Sequence, residues 1–234
     1  MRSESVKAGF LPLYLKIYDE LTPGGCRRFD GFIREMKDIL ESSGITLADP
    51  GAVFDVSHVK KAGELFQREK VSFVITLHLC YSPSLLIADI LEDLGRPILI
   101  IDSTPDVSFE NMEDNYLLDT HGIHGIMDLT SVLKSRGINY TVISGHSENR
   151  VFRERLKEAV KSLAAVSFFR NQTIGLTGRP FEGMGDFSVD FGLLKEKFGI
   201  SVKEIPVERL VEVGKTVGEA DIASCIEEEK HTWD

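Results

Sequence analysis

Basic residues are scarce in this chain: 27 Lys and Arg stand against 37 Asp and Glu, a formal net charge of -10. Such a chain repels a phosphate backbone instead of condensing onto it, so nucleic acid is not an expected partner. Cysteine is scarcer still. Cys26, Cys80 and Cys225 are odd in number, far apart and form no CxxC pair. That argues against a disulfide framework, a thiolate zinc site or dithiol exchange. No apolar run approaches the roughly 20 residues of a bilayer-spanning helix. The first, Gly9 to Tyr14, is too short for the core of a secretion signal. A cytoplasmic protein with no membrane partner is therefore expected. Also missing are a GxSxG elbow, a GxGxxG fingerprint and a Walker loop. Serine hydrolysis and the common modes of nucleotide binding lose their warrant with them.

What is present is an ordinary globular composition, 42% hydrophobic and 27% charged, enough to fill a core. At 234 residues the chain exceeds the usual domain of about 100–200 residues, and two domains are expected. Apolar runs rich in β-branched residues alternate with segments of helical period, the pattern of βαβ units around a parallel sheet. The strand candidates are Gly9 to Tyr14, Thr46 to Val56, Val71 to Leu79, Pro97 to Ile101 and Tyr140 to Ser144. Covering helices are read at Phe29 to Leu40, Lys60 to Gln67 and Ser84 to Leu94. The fold class expected is α/β: a Rossmann-like domain over residues 1–147, then a linking helix and an incomplete second α/β domain over residues 148–234.

Ser147 is placed to cap the linking helix, which runs to Phe169 with Phe152, Leu156, Val160 and Leu163 on one face. Beyond it, strands Thr173 to Leu176 and Ser201 to Ile205 alternate with helices Val189 to Phe198 and Val207 to Val213. A two-stranded layer lacks a proper core of its own, so this domain is expected to be completed elsewhere. Residues 219–234 hold six acidic side chains against Lys230 alone and read as a solvated helix or linker.

Three polar segments could carry chemistry. In Asp119-Thr120-His121-Gly122-Ile123-His124-Gly125-Ile126-Met127-Asp128 the histidines and Asp128 have helical spacing suited to metal ligands. The glycines favour instead a loop entering a helix near His124, capped by Asp119 or Thr120. Gly175 to Gly185 follows a strand, with Arg179 as an anion partner, but its glycine spacing fits no phosphate-binding fingerprint. His78-Leu79-Cys80-Tyr81-Ser82-Pro83 ends the third strand, on the edge where open α/β sheets gather ligands. For His78 itself, a half-buried ring with satisfied hydrogen bonds is expected.

Several of these motifs, in this order, resemble the N-terminal and middle domains of L-arabinose isomerase and L-fucose isomerase from about Val71 onward. Tyr81-Ser82-Pro83 is similar to that family's aromatic-Ser-Pro, and Asp119-Thr120-His121-Gly122 to the arabinose branch's segment ending in His-Gly. Val142-Ile143-Ser144-Gly145-His146 resembles its strand ending in Gly-His, and Gly183-Met184, Val189-Asp190 and Lys197 to Val202 its middle-domain run. The resemblance implies aldose–ketose isomerisation in carbohydrate metabolism, through an enediol and with manganese as cofactor of the full-length enzyme. It places the metal-holding carboxylates and histidine downstream of this chain, and so implies no metal ligand and no catalytic residue here. Sugar-facing roles fall to Tyr81, His121 and Met184, with His121 lent to a neighbouring subunit's site in a homo-oligomer. Leu118 stands where the arabinose branch has glutamine, which leaves the sugar open. A non-catalytic Rossmann-like sugar-binding or regulatory module is the rival reading, and nucleotide binding at Gly175 to Gly185 ranks below both.

Overall fold

The computed structural model describes residues 6–21, 23–108, 110, 120–170, 172–179, 181–185 and 189–230. Its contacts divide the chain into two compact units that meet at Phe168 and Phe169. In the first unit the sheet consists of β1 (Lys7–Leu13), β2 (Thr46–Ala48), β3 (Phe73–His78), β4 (Ile98–Asp102) and β5 (Tyr140–Ser144). All pairings are parallel, in the order β2-β1-β3-β4-β5. The apolar runs of β3 and β4 follow from this topology, because helices cover both faces of the sheet and leave no solvent side to be polar. One face packs Phe10, Ile75 and Leu99 against α2 (Asp30–Glu41) and α6 (Arg150–Phe169). On the other, Leu11, Val74 and Ile100 meet α3 (Val56–Arg68), α4 (Ala88–Leu94) and α5 (Gly122–Ser135). The α/β, Rossmann-like expectation is met.

Local chemistry explains where the elements begin. Asp55 starts α3 by accepting hydrogen bonds from the Ser57 and His58 amides at 2.9 and 3.1 Å. The cap of α6 is Asn149, not Ser147. Its Oδ1 accepts from the Val151 and Phe152 amides at 2.8 and 3.3 Å, while Ser147 is buried outside the helix. Phe152, Leu156 and Val160 of α6 belong to the first unit's core. The second strand is shorter than its sequence candidate: only Thr46–Ala48 pair along β1, with an isolated bridge between Leu13 and Val53. An additional helix, α1 (Lys16–Leu21), buries no residue, which is why no apolar period betrays it.

The second unit holds a parallel pair, β6 (Thr173–Thr177) and β7 (Ser201–Ile205), with α7 (Phe191–Phe198), α8 (Val207–Gly214) and α9 (Glu219–Lys230). Asp190 caps α7 through the Leu193 amide at 3.0 Å, and Gly199 at φ 72° ends it. None of these elements contains a buried residue. Among the described residues, no helix is long and apolar enough to cross a membrane.

Candidate functional site

Strand order places a crevice in the first unit. The chain steps from β1 outward to β2 and then back across to β3, so the connections leaving the C-terminal ends of β1 and β3 diverge. There Leu13 lies beside His78, and the Leu15 amide donates to Cys80 Sγ at 3.3 Å, joining the two strand exits. The chain then runs through Tyr81 and Ser82 into a short 3-10 turn, Ser84–Leu86.

The first turn of α5 lies directly over this exit. A Cβ at Gly122 would sit 2.7 Å from the His78 carbonyl oxygen, and one at Gly125 would sit 2.8 Å from His78 Cδ2 and 2.9 Å from the Ser82 nitrogen. The glycine pair that reads as loop therefore serves close helix–strand approach. The N-cap of α5 is His121, without a side-chain cap; Asp119 lies outside the described residues.

Close approach brings together side chains some forty residues apart. The Tyr81 and His121 rings meet edge to face with centroids 6.3 Å apart, and those of His121 and His124 at 4.8 Å. Asp128 Oδ2 accepts from the Ser84 amide at 2.9 Å and is approached by the Tyr81 hydroxyl at 3.5 Å. At the far end of α5, Arg136 Nη1 donates to Asp89 and Glu92 of α4, both at 2.8 Å.

His78 departs from expectation. It is 2% exposed, and neither ring nitrogen has a hydrogen-bond partner among the described residues. Burial pushes its pKa down to about 3, against the opposing pull of the Asp128 charge, so the ring is neutral. The Thr76, Ser82 and Ser103 hydroxyls and His121 Nδ1 are likewise buried without partners among the described residues. Burial, and then His124, also lowers the His121 pKa.

Neutral imidazoles, a phenol and a carboxylate can give and take hydrogen bonds from a polyhydroxylated ligand, and the ring edges offer apolar contact. Among the described residues no group of three or more His, Cys, Asp or Glu side chains converges as metal ligands would. Asp128 Oδ2 is engaged by the Ser84 amide. Met184 belongs to the second unit, 40% exposed in the turn after β6. In that unit a cleft of ≈ 490 Å³ is lined in part by Arg179 and Glu204. The two side chains form an exposed ion pair at 3.6 Å. The burial of His78 had no sequence signal; the i, i+3 spacing of Gly122 and Gly125 was the available clue to the close packing. Compared with known proteins, the chain matches no family model and no curated protein.

Proposed function

We propose that this chain is the N-terminal portion of an aldose–ketose isomerase of the L-arabinose/L-fucose type, supplying substrate-side contacts. One observation supports the reading above others: Tyr81 and His121, assigned to the sugar by resemblance alone, share one ligand-prone strand exit. In this reading the Tyr81 ring edge packs against the sugar and His121, neutral, hydrogen-bonds a hydroxyl. Asp128 holds the Tyr81 segment against α5. Met184, in the second unit, is assigned a sugar contact by resemblance alone. Manganese, when bound by the downstream part of such an enzyme, polarises the sugar oxygens; no step of that chemistry is assigned to residues of this chain.

The test compares this chain with a longer version that includes the downstream region. With manganese and L-arabinose or L-fucose, the 234-residue chain should show background conversion. An active longer version carrying His121→Ala should lose kcat/KM with its manganese affinity unchanged. Manganese-dependent turnover by the short chain, or stoichiometric manganese binding lost on replacing His121, His124 or Asp128, would sink the proposal. The rival, a non-catalytic sugar-binding module, is open to the same Tyr81 and His121 side chains at the β3 exit. Metal-independent sugar binding, with no turnover in the longer version, would favour it.

A further inference from the structure

His78 and the first turn of α5 are packed in a way that only an uncharged ring permits. The turn rests on His78 at Gly122 and Gly125, where a Cβ would meet the His78 carbonyl oxygen and the ring atom Cδ2. Leu13 of β1 stands beside the same residue in the ladder, and both ring nitrogens are buried without a partner. A neutral imidazole can be held there at a cost, but an imidazolium would be a charge with neither water nor an acceptor. The titratable groups around it do not supply one. They are His121, His124 and Asp128 on α5, Cys80 and Tyr81 on the connection leaving β3, and Asp102 at the end of β4. Neither carboxylate bonds a ring nitrogen, and Asp128 Oδ2 accepts from the Ser84 amide instead. The rings of His121 and His124, 4.8 Å apart, add repulsion once charged.

We infer that His78 is an acid-sensitive latch: its protonation releases the first turn of α5, parting His121 and His124 from Tyr81 while the rest of the first unit stays folded. The turn is the part that yields because everything else around the ring is held more firmly. β3 is paired on both sides, with β1 and with β4. From Asp128 onward α5 is bonded to the Ser84 amide and, through Arg136, to Asp89 and Glu92. The turn before Asp128 has two glycines, each worth about 1 kcal/mol less than alanine in a helix. It has no side-chain cap at His121, and Ile123 and His124 are exposed. Lifting it opens a path for water to His78 with the sheet and the later contacts of α5 intact. Its consequence, loss of the site in acid, rests on the sugar-site reading; the release itself does not.

Hydrogen exchange of the full chain without sugar tests the release apart from any sugar binding. The amides of Ile126 to Leu129 bond back to carbonyls of the first turn. If the opened turn returns the ring to its ordinary pKa of 6.5, opening gains about 25-fold between about pH 7 and about pH 5. The protection of those four amides, corrected for intrinsic rates, should fall by that factor. Their exchange should be flat in dilute urea, the mark of a local opening that exposes little surface, whereas amides of β4 should respond steeply. In His78→Leu and in His78→Gln, neither of which titrates, the fall should be held to within about threefold. Wild-type protection that does not fall, or a fall shared by both variants, overturns the inference. So does exchange at Ile126 to Leu129 as urea-sensitive as that of Ile100, which would mean that solvent reaches His78 through global unfolding.

Discussion

Acidification from about pH 7 to about pH 5 should weaken the first unit through one side chain, His78. Its ring has an ordinary pKa of 6.5, lowered to about 3 by burial in the folded protein. Between those values the unfolded chain binds a proton that the folded chain refuses. Stability is therefore undiminished at neutral pH and falls as pH drops through the window from about 6.5 toward about 3. At about 1.4 kcal/mol per pH unit, and allowing for partial protonation near the upper limit, the loss by pH 5 is about 2 kcal/mol. That is a sizeable share of a typical domain stability of about 5–15 kcal/mol. Urea unfolding at both pH values, on the wild type and on His78→Gln, isolates the effect, because every other titrating group is common to the pair. The variant should lose about 2 kcal/mol less than the wild type on acidification. Equal losses would refute the reasoning and mean that the buried ring has a hydrogen-bonding partner.

Two further outcomes follow from packing. Gly125→Ala drives a methyl to within 2.9 Å of the Ser82 backbone nitrogen and should cost about 2 kcal/mol; Gly31→Ala, in α2 with nothing within 4 Å, should instead gain up to about 1 kcal/mol. Thermal melts of the two variants must move in opposite directions. Phe152→Asp places an unpaired charge at a position 3% exposed and should abolish the cooperative melt, a loss of several kcal/mol; a melting temperature like that of the wild type would refute its burial.

The sheet was legible because β3 and β4 are apolar on both faces, a composition with few competing explanations in a chain of this length. Helix starts were less so. Ser147 and Asn149 are both competent caps, and the choice between them depends on which side chain the core buries. The candidate site was half legible. Tyr81 and His121 were assigned by resemblance, and their proximity depends on long-range packing through Gly122 and Gly125 that local periodicity does not encode. His78 reads as an ordinary strand-end histidine. Its burial comes from tertiary packing, with α5 laid over it at Gly122 and Gly125 and Leu13 beside it on β1, and sequence spacing says nothing of solvent access.

The two attachments of α5 have a mechanical consequence. Asp128 fastens its middle to the Ser84 amide, and Arg136 fastens its end to Asp89 and Glu92 of α4. Joined at its middle and at its end, α5 is tied to two places in the segment from Ser84 to α4, so a shift of the helix along the sheet strains the Asp128 and Arg136 contacts together. The His121 end, which precedes both ties, is set against the Tyr81 segment by the close packing of Gly122 and Gly125 on His78 and Ser82.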